Sequence, residues 1–191
     1  MNSVRQKLLA SFLAAGISVS GAFVAYDLTL PSEGFEQRVY VDPVGLPTVC
    51  VGHMDRSLKK GETFTIEECM EMFAADWKKH QAQLDSVVKV PYKSEWQKEA
   101  LTDFTFNVGI GNVKSSTLIK LVNQGRHKAA CEQLSKWVKA GGKTLKGVVT
   151  RRANTMPYCL GELSYDKQKA YSEFQKEYEA IKRQKENPEK L

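Results

Sequence analysis

Glu33-Gly34-Phe35, Arg38-Val39-Tyr40-Val41-Asp42, Gly45 and Pro47-Thr48-Val49-Cys50-Val51-Gly52-His53 make up the stretch on which the reading of this chain turns. Two short runs rich in β-branched residues, 38–41 and 47–51, flank Asp42-Pro43-Val44-Gly45. Asp, Pro and Gly supply turn chemistry between them, so a hairpin or small sheet is expected. Upstream, Pro31-Ser32-Glu33-Gly34 is also turn-rich. Downstream the signals become helical. Thr65-x-x-Glu68 reads as a capping box opening a helix to about residue 88, with Met70, Phe73, Trp77 and Leu84 on one side. Its long polar face suits a helix bridging two lobes. Further helices are expected near 94–106, 115–123, 127–138 and 148–159, punctuated by Gly109, Gly111, Gly125, Gly141 and Gly142. The fold class that follows is α+β, mainly α. It has a small N-terminal lobe with a β-hairpin or sheet, a long connecting helix and a helical C-terminal lobe.

At 191 residues and 42% apolar content, the chain can bury one core or two small lobes sharing a helix. Lys and Arg outnumber Asp and Glu by 28 to 22. A basic surface suits nucleic acid, anionic lipid or an anionic cell wall, and part of the excess sits in a tail carrying Lys182, Arg183, Lys185 and Lys190. No nucleic-acid-binding motif is present, and none is expected as a partner. Cys50, Cys69, Cys131 and Cys159 lie far apart without a C-x-x-C, and only His53, His80 and His127 could assist them, so neither a metal site nor a cofactor is expected. An even cysteine count suits two disulfides in an exported chain and buried thiols in a reducing cytosol.

The N-terminus bears on that choice. Arg5 and Lys7 precede 19 uncharged residues, 8–26, closed by Asp27. As one helix they would span about 28 Å, near the roughly 30 Å hydrocarbon thickness of a bilayer. The leading positive charges predict an N-terminus left inside and a chain that exits on the far side. A signal peptide cleaved near Ser20-Gly21-Ala22, a permanent anchor, a soluble core helix and a retained, weakly held anchor all fit this pattern. Composition favours the last: ten of the 19 residues are Gly, Ala or Ser. Such a helix enters a membrane but sits there weakly, because each large aliphatic contributes only some tenths of a kcal/mol. At the other end, Tyr171, Phe174, Tyr178 and Ile181 recur at helical spacing among charges, a tail helix that packs one stripe on something or extends into solvent.

Hydrolysis of a glycosidic bond needs a carboxylic acid to protonate the leaving oxygen and a polar counterpart to position water or stabilise positive charge. Glu33, Asp42 nine positions on and Thr48 six further are candidates. That spacing alone is common, since roughly two or three acidic pairs at any given separation arise by chance in such a chain. The whole string is more specific. It resembles the active-site segment of the lysozyme-like phage muramidases, glycoside hydrolase family 24 of the T-even phage lysozyme type, and the resemblance runs through Phe104-Thr105-Phe106-Asn107-Val108-Gly109 and Trp137 to Arg151-Arg152, covering about 28–161.

The resemblance implies a lysozyme-like fold and a muramidase cleaving the β-1,4 bond between N-acetylmuramic acid and N-acetylglucosamine. Glu33 would be the acid, with Asp42 and Thr48 managing the water. It implies a substrate-cleft position for Asn107 and a supporting role for His53, as partner to a carboxylate or to substrate. Pro47 and Cys50 depart from the family pattern. Cys50, the weak N-terminal helix and the Thr150-Arg151-Arg152…Cys159 ending are similar to the signal-arrest-release endolysins of phages. In that group the Sec machinery inserts the N-terminal helix, which later leaves the inner membrane for the periplasm. By lobe assignment the expected pairings are Cys50–Cys69 within the small lobe and Cys131–Cys159 within the helical lobe, the local one of three possible sets. A monomer with three segments is expected: a signal-anchor helix over 1–27, a catalytic domain over 28–161 and a charged tail over 162–191. Tyr26 and Glu33 are seven positions apart, so Glu33 stays within about 25 Å of the membrane surface while the helix is inserted. Release is then expected to let 8–26 pack onto the domain and complete the site. The alternative is a non-catalytic, membrane-tethered peptidoglycan-binding protein.

Overall fold

The computed structural model describes residues 3–43 and 45–186; Val44 of the expected turn and Lys190 of the tail lie outside them. The chain divides into two compact units, residues 1–78 with 168–191, and residues 79–167.

In the first unit, α1 (Ser3–Ala14) and α2 (Val19–Val24) are followed by a stretch of π-helix over Ala25–Thr29 and by α3 (Leu30–Glu33). The expected single helix over 8–26 is therefore broken. Gly16 takes φ +69°, and Ser18 caps α2 by accepting from the Gly21 amide at 3.1 Å. The physical reason is burial in water. Leu8, Leu9, Phe12, Ile17, Phe23 and Val24 are all enclosed, on a path that one straight helix does not follow. Among the described residues no helix is long and apolar enough to cross a membrane.

The hairpin forms as its residues predict. Strand β1 (Glu36–Val41) pairs antiparallel with β2 (Pro47–Cys50) in a register that sets Tyr40 opposite Thr48 and Val41 opposite Pro47. A third strand, β3 (His53–Met54), pairs with β2 and sets Met54 opposite Thr48. The free edge of β1 is covered by residues 61–64, whose backbone exchanges bonds with Gln37 and Val39.

Helix α4 (Ile66–Asp85) contributes to both units. Its capping box is complete: the Glu68 carboxylate accepts from the Thr65 amide at 2.7 Å, and Thr65 Oγ1 accepts from the Glu68 amide at 3.2 Å. The Thr65 amide, and the Thr65 hydroxyl donating to the same carboxylate at 2.8 Å, hold the Glu68 carboxyl below its usual pKa. The folded state thus binds that proton more weakly than the unfolded chain, so the box stabilises above the ordinary glutamate range and weakens as pH falls through it. Glu68→Ala is expected to lower the melting temperature near neutrality, with the gap to the parent closing as pH falls below the ordinary glutamate range. A gap that stays constant across a pH series of thermal melts would rule out this carboxylate as the cause.

On the inner face of α4, Phe73 and Trp77 meet Phe12 at ring distances of 5.2 and 6.1 Å. The last helix, α10 (Tyr165–Glu186), supplies Phe174 and Tyr178 to the same unit, both buried. The expected tail thus packs its stripe on the N-terminal segment. The Cys50–Cys69 disulfide ties β2 to α4, with an S–S distance of 2.05 Å.

The second unit is helical. It holds α5 (Glu95–Val108), α6 (Ile110–Ser115), α7 (Thr117–Asn123), α8 (His127–Glu132) and α9 (Lys146–Leu160). The helix expected over 127–138 is shorter, giving way to a 3₁₀ turn at Gln133–Lys136. A two-residue hairpin, β4 (Lys139–Ala140) and β5 (Lys143–Thr144), turns at Gly141-Gly142, both with positive φ. Leu101, Phe104, Leu118, Val122 and Leu134 form its core, and the Cys131–Cys159 disulfide staples α8 to α9, with an S–S distance of 1.99 Å. Trp137 is half-buried with its ring 5.2 Å from Phe104.

Candidate active site

Glu33 is the last residue of α3, a single helical turn with Pro31 near its start and Gly34 after its end. Proline pre-sets the φ of a first helical turn, and Gly34 accepts φ +81°, where a side chain would be strained. The short turn therefore ends abruptly, leaving the Glu33 side chain half-buried at the start of the hairpin. Its carboxylate lies over Gly52: a Cβ built on Gly52 would sit 3.8 Å from Glu33 Oε2. Gly52 also adopts φ +73°, so the backbone turn after β2 uses the missing side chain, while the carboxyl lies at ordinary contact distance.

Asp42 and Thr48 are anchored to one residue from opposite ends of the hairpin loop. Asp42 Oδ1 accepts from the Leu46 amide at 2.8 Å, and Thr48 Oγ1 donates to the Leu46 carbonyl at 3.1 Å. The Asp42 amide donates to the same carbonyl at 3.0 Å. Asp42 is thus a turn-holding residue as well as a carboxylate. Thr48 is 3% exposed, and its one hydroxyl proton is committed to Leu46. Its remaining capacity is as an acceptor, which suits holding a water O–H. A carboxylate likewise only accepts. The loop therefore presents acceptors, while Glu33, when protonated, is a donor.

Beside Glu33, Phe35, Glu36, Arg38 and Tyr40 line an open hollow on the exposed side of β1. Sequence reasoning passed over this face, although the alternation of 36, 38 and 40 along the strand marks it.

His53 opens β3 and meets a carboxylate: its Nδ1 lies 2.8 Å from Asp76 Oδ2 on α4. In the second unit Asn107 is exposed near the end of α5, and its Oδ1 accepts from Arg152 Nη2. Arg152 also donates to the Trp137 carbonyl at 3.0 Å and stacks 4.9 Å from the Phe104 ring centre. With its oxygen accepting from Arg152, the exposed Asn107 side chain keeps two N–H donors for other partners. Asp76 and Leu46 carry no signal in the sequence, because their partners are a distant side chain and the hairpin-loop backbone; Arg152 stands out in the motif Arg151-Arg152, but its bond to Asn107 does not.

Among the described residues no cluster of His, Cys, Asp and Glu is arranged to hold a metal.

The phage lysozyme family model matches residues 31–155. The SAR-endolysin of Bacteriophage PS119 is 35% identical over 163 residues, covering 83% of this chain and 95% of that protein. The SAR-endolysin of Enterobacteria phage PA-2 is 36% identical, covering 83% and 96%. The solved endolysin of Escherichia coli O157:H7 phage FAHEc1 superposes with a TM-score of 0.62 at 26% identity, covering 85% of this chain and 96% of that one. The match spans α3, the hairpin with Asp42 and Thr48, and the helices through most of α9. The chain belongs to the phage lysozyme family.

Proposed function

We propose that Glu33 is the general acid of this lysozyme and that Asp42 and Thr48 hold the attacking water. The enzyme hydrolyses the β-1,4 bond between N-acetylmuramic acid and N-acetylglucosamine in peptidoglycan and so lyses the host cell. The observation that carries the assignment is the shared anchoring of Asp42 and Thr48 at Leu46, in the hairpin whose far end brings Gly52 under the Glu33 carboxyl. Glu33 delivers its proton to the glycosidic oxygen as the bond to the anomeric carbon breaks. Asp42 accepts a proton from the water, which Thr48 Oγ1 orients by accepting its second O–H. Asn107 donates to substrate, and His53 braces the hairpin against α4 through Asp76.

The delivery route belongs to the same proposal. Residues 8–26 are inserted by the Sec machinery with the N-terminus in the cytoplasm, and the monomeric enzyme later reaches the periplasm with that segment retained. The run of 19 uncharged residues, the two disulfides and the SAR-endolysin relatives support this reading.

The test is digestion of isolated peptidoglycan followed by borohydride reduction. New reducing ends are expected on N-acetylmuramic acid, and ends on N-acetylglucosamine would refute the bond assignment. Asp42→Asn separates charge from loop structure in the same assay, because an amide oxygen can still accept from the Leu46 amide. Activity is expected to fall about a hundredfold with an unchanged melting temperature. Activity within twofold of the parent would remove Asp42 from the water.

A further inference from the structure

Two flanks lie outside the family match over 31–155: the N-terminal segment and α10. Each is the other's partner. Phe23 inserts between Tyr171 and Phe174, with ring distances of 5.3 and 5.2 Å. Tyr26 packs on Phe174 at 5.7 Å. The Arg5 guanidinium lies 5.0 Å from the Phe174 ring centre and 5.5 Å from that of Tyr26, and Arg5 Nε is 3.0 Å from Glu177. Lys185 donates to the Ala10 carbonyl at 3.2 Å.

One contact answers the helix break directly. In an unbroken helix the Ile17 carbonyl would take the Gly21 amide. Here that amide is turned to Ser18 Oγ, and the Ile17 carbonyl accepts instead from the buried Tyr178 hydroxyl at 2.7 Å. In hydrocarbon no such donor exists, so a span must close every backbone bond within its own helix. The segment therefore has two self-consistent arrangements: an unbroken helix in lipid, or a broken one completed by α10.

We infer that α10 is an intramolecular dock for residues 5–26, competing with the membrane for that segment and holding it in the released state. This rests on the delivery route proposed above. While 8–26 spans a bilayer, Arg5 lies on the cytoplasmic side and Glu177 beyond the far side. Their ion pair, like that of Lys7 with Glu67 on α4, exists only after the N-terminus has crossed. The dock thus recognises the released segment by its rings, its broken backbone and the cation in front of it.

The test adds the purified full-length enzyme to phosphatidylethanolamine–phosphatidylglycerol vesicles and measures the bound fraction by flotation. Phe174→Ala is expected to raise the ratio of bound to free protein at least about tenfold. Tyr178→Phe keeps the ring and removes only the bond to Ile17; it is expected to raise the ratio about fivefold. Ratios unchanged in both variants overturn the dock. So does a rise confined to Phe174→Ala accompanied by loss of activity on isolated walls, since that is general unfolding. In cells the two readings separate. If the pulse-labelled parent never passes through the membrane fraction, the delivery route fails. If both variants pass through it and leave as fast as the parent, only the dock fails.

Discussion

Glu33→Gln is expected to lower the rate of peptidoglycan hydrolysis about a thousandfold while leaving the fold intact. The substitution is nearly isosteric, and the space over Gly52 that receives the carboxyl receives an amide of the same size. What is lost is the transferable proton. An amide can donate a hydrogen bond to the glycosidic oxygen but cannot deliver a proton to it, so the leaving group must depart as an alkoxide. The loss belongs in kcat, because binding contacts along the glycan are untouched. Clearing of a wall suspension, measured beside a thermal melt, is the test. More than about a tenth of parental activity, with the same melting temperature, would mean that another group supplies the proton. The comparison with Asp42→Asn is informative. Water attack retains Thr48 and some intrinsic nucleophilicity when Asp42 is neutral, whereas proton delivery rests on Glu33 alone in the proposed assignment. The Glu33 defect is therefore expected to be the deeper of the two.

What the amino-acid order reveals about this molecule is mostly what can be satisfied locally. The hairpin is legible because the runs at 38–41 and 47–51 and the turn between them lie within 14 consecutive residues. The capping box of α4 is legible because donor and acceptor are three residues apart. By contrast, β3 is two residues long, and the 61–64 segment covering β1 carries no strand pattern. Both exist because β2 and β1 offer them partners. Helix α6 follows Gly109 directly and buries little beyond Val113, so periodicity could not mark it. The stripe of Tyr171, Phe174 and Tyr178 was visible at helical spacing, but its partner was not. The bond from Tyr178 to Ile17 joins residues 161 positions apart. At the site, Glu33, Asp42 and Thr48 stood out through the string around them, while the structural half of Asp42's work became apparent only with the Leu46 amide in view.

Arg151-Arg152 shows how a conspicuous motif can conceal two jobs. Arg152 supports Asn107, whereas Arg151 is 7% exposed and pairs with Asp103, which is fully buried, at 2.8 Å. Asp103 on α5 also accepts from Thr155 Oγ1 on α9 at 3.1 Å, so one carboxylate clamps the two helices. Asp103→Leu strands the guanidinium away from water, and such losses cost about 3–5 kcal/mol, which for a chain of this size lowers the melting temperature by about 10 °C. Thr155 is not stranded, because its single hydroxyl proton can turn to the Arg151 carbonyl, which lies 2.9 Å away. The cost therefore lies in removing the carboxylate that faces the buried cation and not in a general loss of bonds. That makes the outcome reversible by a second change. Asp103→Leu with Arg151→Met removes both charges and keeps the volume, and is expected to recover most of the lost stability. Calorimetry on the parent, both single variants and the double variant closes the cycle. If the double variant melts as low as Asp103→Leu alone, the buried charge is not what the substitution exposes, and the clamp between α5 and α9 is a matter of packing instead.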